Sequence, residues 1–347
     1  MADADVAAVP SAKRAREVVR GSVEVRAATA LEVFNVPLFE VPPMLDVRSS
    51  AAYAREHVVC AVSTPAEDGL STECLFQRIL DHDDIWGWLL QFPVVVVYDG
   101  DSEDRASWLV DTLCGAITDR AAVRGFEGAD NTERLLRRLA FQCQQILLLK
   151  HKDFSQAFGF ACASGCDWTC ADFFEQHGPL PRCALLQPRV YLAGRQVRPT
   201  AGMLQLLGVS RVAVNADAWD VMDGTSGGGG NELQDRPEDA PGVLYLKCEV
   251  ADRDDDPDIL RVLQGAAQFL AAGAAIGGVG LVRLHGQSRS ASVVCALVML
   301  SRGLSVDAAW ALFEEAGIRV DTRLVWWDAL RRLPTARALE DAPAAAA

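Results

Sequence analysis

The stretch GLVRLHGQSRSASVVCALVML, residues 280–300, decides the fold of the second half of the chain. Its first residues are apolar and suit a buried strand, a short polar loop follows around Gly286, and the rest is apolar and long enough for a helix. A loop between a strand and a helix N-terminus directs backbone N–H groups towards an anion. Arg289 adds a guanidinium that can hold two phosphate oxygens, so the stretch predicts a phosphate-binding loop.

Length, charge and cysteine content limit the classes of protein that this chain can belong to. Its 347 residues are enough for two domains, and its net charge of −14 disfavours nucleic acid as a partner. No apolar run is long enough to predict a membrane span. Ten cysteines without a hydrophobic N-terminal signal predict reduced thiols. We therefore expect a cytoplasmic location, with a nuclear one left open.

Strand-like and helix-like runs alternate along the chain and predict two α/β domains, each with a mostly parallel central sheet flanked by helices. Strands are predicted at 44–48, 93–99 and 144–150, and in VSRVAVN, GVLYLK and GVGLVRL of the second half. The predicted division is a disordered lead at 1–20, a first domain at 31–160, a linker at 161–181, a second domain at 182–335 and a disordered tail at 336–347. The acidic, Gly-rich stretch 216–242 predicts a long loop within the second domain.

Three stretches of the first domain carry a family resemblance: LDVRSSAAYAREHVVCAV (45–62), VVVVYD (94–99) and ILLLKHKDFSQAF (146–158). On these stretches the first domain resembles the rhodanese-like family. The resemblance implies an active-site loop after VVVVY, where active members carry a cysteine and this chain has Asp99. A carboxylate cannot carry a persulfide, and Asp101, Glu103 and Asp104 would repel an anion. We therefore predict a binding module with a solvated acidic loop rather than a sulfur transferase.

The second domain carries a resemblance in PRVYLAGRQVRPTAGMLQLLGVSRVAVN, YLKCEVAD, HGQSRS and GLSVDAAWALF. On these residues 182–333 resemble the dual-specificity protein phosphatases. A rhodanese-like domain before such a domain is the arrangement of the MAP kinase phosphatases, and of a related pseudophosphatase without the nucleophile. The resemblance implies a former general acid at Asp252. It also implies phosphate contacts from the residues of the loop and first helical turn, namely Gly286, Gln287, Ser288, Arg289 and Ser290.

The nucleophile of that family is missing here. Its loop begins His-Cys, with five residues between the cysteine and the arginine, and this chain has Val282 and Arg283 at those two positions. Covalent catalysis needs a nucleophile, so Arg283 is interpreted as inactivating. A buried unpaired charge is costly, and we expect Arg283 to pair with Asp252 or an anion, or to turn outward.

No other cysteine stands in a sequence pattern that would make it the nucleophile of such a loop. Cys114 and Cys183 each stand six residues before an arginine, but both lack the glycine that the loop needs. Cys295 lies on an apolar helix, where cysteine is usually a packing residue.

No cofactor is expected, and metal binding is disfavoured. The candidate ligands in and beside the linker lack the usual zinc-ligand spacing, so we interpret them as small packed residues; they are Cys162, Cys166, Cys170, His177 and Cys183.

The predicted function is that of a pseudophosphatase, a binding or regulatory module for phosphoproteins or protein kinases, with no nucleic acid and no membrane as partner. Two weak kinase-docking candidates are the basic residues Arg137 and Arg138, and a basic N-terminal stretch followed by Val23 and Val25. Two alternatives stay open: a phosphatase with residual or unorthodox activity, and a purely structural module in which both clefts are vestigial.

Overall fold

The computed structural model describes fifteen segments of the chain, and the statements below concern those residues. The segments are 18–20, 23–35, 44–59, 61–64, 94–118, 145–164, 173, 180–194, 197, 199–215, 240–248, 259–284, 287–318, 320 and 326–333. Within them no single helix is long and apolar enough to cross a membrane, although two helices bent by 118° to each other, at 289–302 and 306–315, meet the length and composition together.

Strands and helices alternate along the described residues. Up to residue 163 the elements are β1 (Val18–Arg20), β2 (Val23–Ala27), α1 (Ala30–Asn35), β3 (Met44–Asp46), α2 (Ser50–Arg55), β4 (His57–Val58), β5 (Ala61–Ser63), β6 (Val94–Tyr98), α3 (Glu103–Thr118), β7 (Gln145–Lys150), α4 (His151–Phe158) and β8 (Cys162–Ala163). The later elements are β9 (Arg182–Leu186), β10 (Arg189–Leu192), α5 (Ala201–Leu206), β11 (Val209–Asn215), β12 (Leu244–Cys248), α6 (Ile259–Ala274), β13 (Val279–Arg283), α7 (Gln287–Arg302), α8 (Val306–Glu315) and α9 (Trp326–Arg331).

The first sheet has the order β1-β2-β7-β6-β3-β5, and all its pairings are parallel except the β1–β2 hairpin. Strand β6 lies inside this sheet, and its five residues are all buried, as the run of four valines predicts. From β3 the chain continues to β5, towards one edge of the sheet, and from β6 it continues to β7, towards the opposite edge. The carboxyl ends of these neighbouring strands therefore form a topological switch point, where ligands of α/β sheets usually bind.

The second sheet has the order β12-β11-β13-β10-β9, with only β9 antiparallel to its neighbour. The long helices α6 and α7 supply much of its core, and the residues from 290 to 299 on α7 are all buried. Gly280 on β13 is needed for this packing, because a Cβ there would come within 2.9 Å of Leu270 Cδ2 on α6. Close approach of helix and strand thus depends on a residue without a side chain.

The six strands predicted from the sequence are present, as are helices over the apolar runs that correspond to α3, α6, α7 and α8. The predicted disordered lead is wrong at its end, because Val18–Arg20 pairs antiparallel with β2. The docking hypothesis for Val23 and Val25 is also wrong, since both side chains are buried in the first sheet's core, Val23 fully. Arg137, Arg138, the tail 336–347 and residues 216–239 of the long loop lie outside the described residues.

The chain divides into two units that differ from the predicted boundaries. Residues 1–29 and 41–152 form the first, and residues 30–40 and 153–347 form the second. Helix α1 therefore belongs with the later half, although it precedes the first unit's β3. Its Phe34 ring stacks on Phe158 at 4.1 Å between centroids and meets Tyr191 edge-on at 6.3 Å. This aromatic packing explains why α1 and the end of α4 join the second unit.

Asn35, the last residue of α1, fixes that helix to the second unit through hydrogen bonds to the backbone. Its Nδ2 donates to the carbonyl oxygens of Cys183 and Ala316, each at 2.7 Å, and its Oδ1 accepts from the N–H of Cys183 at 2.8 Å. The side chain is 1% exposed, so no water can easily replace it. Buried backbone groups of β9 and of the end of α8 therefore depend on one amide.

We predict that Asn35→Ala destabilises the second unit by roughly 2–4 kcal/mol, because it leaves several buried backbone groups without a partner. Urea unfolding of the full chain measures the loss. Gln205→Ala, an exposed amide on α5, is the matched control and should change the unfolding free energy by less than about 0.5 kcal/mol. Equal midpoints for the two variants would show that α1 is not anchored as described.

Candidate functional site

The parallel strands of the second unit end at one edge of the sheet, and their last residues lie side by side there. The strand register pairs Val214 with Arg283 and Asn215 with Cys248. The sequence then continues from Arg283 into the predicted phosphate loop, of which His285 and Gly286 lie outside the described residues. Because such edges bind ligands in α/β proteins, this is the candidate site of the second unit.

A buried hydrogen bond closes the loop between β13 and α7. Ser290 Oγ accepts from the backbone N–H of Leu284 at 2.9 Å, and Ser290 is fully buried. The bond joins the end of the strand to the first turn of the helix across six positions. It thus connects the end of β13 directly to the first turn of α7, where the positive end of the helix dipole lies.

Arg283 lies where the family resemblance places the nucleophile. It does not turn outward, because it is 6% exposed, and its Nε donates to the carbonyl oxygen of Val197 at 3.0 Å. Val197 belongs to the loop after β10, the strand that neighbours β13. The predicted partner Asp252 lies outside the described residues, so the alternative of an Arg283–Asp252 pair stays a prediction.

The remaining predicted phosphate ligands are brought to the start of α7. Gln287 and Ser288 are its first two residues, and Arg289 follows in the same turn, partly buried. These positions place their N–H groups at the N-terminus of a helix of 16 residues. Their contacts with phosphate stay predictions.

Three buried cysteines of the second unit are poor nucleophiles. Burial raises the pKa of Cys183 to about 12, that of Cys248 to about 11 and that of Cys295 to about 12. A thiol with such a pKa is almost wholly protonated at neutral pH. Cys114 is buried in α3 of the first unit, so the interpretation of Cys114, Cys183 and Cys295 as packing residues is confirmed.

Sequence reasoning missed Asn215, the last residue of β11. Its side chain is 1% exposed, and its Nδ2 has no hydrogen-bond partner among the residues that the structure describes. A polar residue that ends an otherwise apolar strand at the carboxyl edge is the sequence signal that marks this position. Its amide adds a hydrogen-bond donor to the edge where the phosphate loop begins.

In the first unit, Asp99 follows β6 at the switch point, and its carboxylate accepts hydrogen bonds from residues two and three positions later. Its Oδ1 accepts from the N–H of Asp101 at 3.1 Å and from Ser102 Oγ at 3.0 Å, while Ser102 Oγ accepts from the N–H of Asp99 at 2.8 Å. The carboxylate thus caps the start of the helical segment that leads into α3. Asp101, Glu103 and Asp104 are exposed, but Glu103 and Asp104 lie in the first turn of α3 rather than in the predicted loop, where acidic side chains stabilise the helix N-terminus.

A buried ion pair and a histidine lie at the same edge of the first sheet. Arg48 donates to both carboxylate oxygens of Asp46, with its Nη2 2.6 Å from Oδ2, and the pair is almost fully buried. His151, at the end of β7, has its Nε2 3.8 Å from Glu56 Oε2. Burial first, and then the Arg48 charge, lower the pKa of His151 below its usual value.

No group of three or more potential metal ligands occurs among the residues that the structure describes. Of the linker residues with a zinc-like pattern, Cys166, Cys170 and His177 lie outside them.

Comparisons with known proteins relate the chain to dual-specificity phosphatase structures at low similarity. No protein-family model and no curated protein matches it. A human DUSP28 variant is similar at 24% identity, over 47% of this chain and 98% of its own, with a TM-score of 0.34. A mouse putative dual specificity phosphatase complexed with zinc tungstate is 24% identical over 41% of this chain and 79% of its own, with a TM-score of 0.32.

A third similar structure is the human tyrosine phosphatase-like serine/threonine/tyrosine-interacting protein. It is 19% identical over 43% of this chain and 91% of its own, with a TM-score of 0.31. The mixed α/β architecture agrees with that of these structures. Since all three TM-scores are below 0.5, the likenesses support no conclusion about activity.

We predict that the first unit loses stability as the pH falls below about 6.5. Burial lowers the pKa of both His57 and His151, so the unfolded chain binds more protons than the folded one between the lowered pKa values and 6.5. The contribution of the two neutral histidines to the free energy of unfolding is complete above pH 6.5. It is lost as the pH falls from 6.5 through the lowered pKa values. The slope is at most about 1.4 kcal/mol per pH unit for each histidine.

The double substitution His57→Gln and His151→Gln should flatten this dependence while leaving its sign unchanged. Urea unfolding between pH 5 and pH 8 gives the comparison. Identical slopes for the wild type and the double variant would show that carboxyl groups alone govern the acid response.

Proposed function

We propose that this protein is a pseudophosphatase, which binds phosphate esters on proteins at the β13–α7 loop without hydrolysing them. The observation that carries the proposal is the position of Arg283. Its guanidinium is buried at the nucleophile position and donates to a main-chain carbonyl of the neighbouring loop. The charge there is positive, where thiolate chemistry would require a negative one.

Energetics favour the absence of turnover. The resemblance gives the second unit a general acid at Asp252 and a phosphate-holding arginine at Arg289. General acid catalysis contributes about 10²–10⁴-fold, whereas phosphate monoesters need acceleration of up to about 10²¹-fold. Without a nucleophile the covalent step is missing, and the two remaining groups cannot supply the difference.

Binding, by contrast, needs only the parts that are retained. The helix N-terminus of α7 and the Arg289 guanidinium both favour an anion, and Ser290 holds the turn closed through Leu284. Arg283 adds a second positive charge near the start of the loop. The partner class that fits this charge pattern is a phosphoprotein, including a protein kinase, in the cytoplasm or the nucleus.

For the first unit we propose a binding role without sulfur transfer. In the family that it resembles, N–H groups of the turn after the valine-rich strand stabilise a cysteine sulfur. Here the Asp99 carboxylate accepts from Asp101 in that turn, so an intramolecular anion takes the position of the reacting one. The proposal follows because a carboxylate cannot carry the persulfide.

The wild-type protein should not hydrolyse an aryl phosphate, while Arg283→Cys should give weak turnover that Arg289→Ala abolishes in the double variant. A continuous phosphatase assay on the full chain measures both. Arg302→Ala, an exposed arginine on α7, is the matched control and should leave the turnover of Arg283→Cys unchanged. Wild-type turnover that is lost with Arg289→Ala would instead establish an active phosphatase. Val282 is fully buried, so restoring the family's histidine there would disturb the core.

Binding of a phosphotyrosine peptide to the wild type separates a pseudophosphatase from a purely structural module. Calorimetry should detect the phosphorylated peptide and not its unphosphorylated form, and Arg289→Ala should weaken binding at least about tenfold, since a charged bidentate contact is lost. Arg302→Ala is again the control. No difference between the two peptides would favour a vestigial cleft.

The full-length wild type should form no thiocyanate from thiosulfate and cyanide. Asp99→Cys should produce a small rate, because it places a thiol before a helix N-terminus that lowers its pKa. Asp101→Cys, an exposed neighbour, is the matched control and should stay inactive. Thiocyanate formation by the wild type would contradict the role given to Asp99.

A further inference from the structure

A groove of about 390 Å³ lies between helices α8 and α9, and its lining combines aromatic and acidic side chains. The lining residues are Asp307, Trp310, Ala311, Glu314 and Trp327. The first four lie on α8 at spacings of three, four and seven, so they share one face of that helix. Ala311 is small and leaves space between the two carboxylates.

Two indole rings meet at right angles in this groove. The centroids of Trp310 and Trp327 are 4.9 Å apart, and their planes are inclined by 88°. Trp310 is mostly buried, while Trp327 on α9 is partly exposed. A corner of two perpendicular π-faces attracts a cation, because the faces of aromatic rings are electronegative.

The carboxylates reinforce that preference. Neither Asp307 nor Glu314 forms an ion pair among the described residues. Asp307 is in the first turn of α8, where an acid also stabilises the helix. Glu314 is in the last turn, beside the negative end of the helix dipole, where a carboxylate is unfavourable. Both carboxylates are exposed, so they are accessible to a cation that enters the groove.

The chain contains an example of the same contact. The guanidinium carbon of Arg331 lies over the Trp327 ring at 5.6 Å from its centroid. A guanidinium is planar, stacks on an indole face and can also bind carboxylates through its fork, which a lysine ammonium cannot do. The combination of two indoles with two carboxylates thus suits arginine better than lysine.

We propose that this groove binds an arginine side chain from a basic segment of a partner protein. The groove is separate from the phosphate loop, because α8 follows the far end of α7, whose 16 residues extend roughly 24 Å. Binding here therefore does not depend on the proposed function of that loop. The negative charge of the whole chain, −14, also favours a basic partner.

The test uses the full-length protein and a blocked five-residue peptide with one arginine between glycines. Titration followed by the indole N–H signals in nuclear magnetic resonance spectra should give saturable shifts, one of which disappears in Trp327→Phe. A peptide with citrulline, the neutral isostere, should bind at least about tenfold more weakly, and a lysine peptide should also bind more weakly than the arginine peptide. Equal binding of citrulline, or of lysine, would overturn the proposal.

Matched variants separate a specific contact from general charge. Glu314→Gln should weaken arginine-peptide binding at least about fivefold, whereas Glu315→Gln should leave it unchanged. Both residues are exposed neighbours on α8, and only Glu314 lines the groove. Equal weakening by the two substitutions, or no saturable shift with up to about 10 mM peptide, would also overturn the assignment.

Discussion

The hydrogen bond from the Leu284 N–H to Ser290 Oγ is the constraint on which the candidate site depends. It joins the residue directly after β13 to the first turn of α7. Both residues are buried, so loss of the bond would leave the main-chain N–H of Leu284 without a partner. With that bond in place, the start of the helix faces the carboxyl edge of the sheet and Arg289 lies in its first turn. The bond thus fixes the N-terminus of α7, a feature that favours anions, beside the edge where β13 ends.

Asp99 and Arg283, which stand where the two family resemblances place a nucleophile, are satisfied in chemically opposite ways. In the first unit Asp99 is an acceptor, and it takes donors from the turn that follows it. In the second unit Arg283 is a donor, and it gives its Nε hydrogen to the carbonyl of Val197 in a neighbouring loop. Each side chain thus has a hydrogen-bond partner of the opposite polarity, as burial near a sheet edge requires.

Sequence reasoning located the strands and the long helices because their signals are local. Four consecutive valines predict β6, and the long apolar run after Gly286 predicts α7 without any knowledge of their neighbours. The resemblance also brought Arg283, Arg289 and Ser290 to one loop. It could not assign α1 to the second unit, because that depends on contacts between Asn35 and backbone groups 148 and 281 positions away. Nor could it identify Val197 as the acceptor for Arg283, because the acceptor is a backbone carbonyl, which every residue has.

These long-range contacts bear on how catalysis could return. In the proposed pseudophosphatase, Arg283 is a structural participant, since it connects the loop after β10 to the end of β13. A cysteine at that position would add the nucleophile and remove this connection at the same time. The pocket left by a buried guanidinium would also lack packing atoms, which costs stability in any close-packed interior. In that proposal, an Arg283→Cys substitution therefore changes more than one side chain, because Arg283 also connects two segments of the backbone.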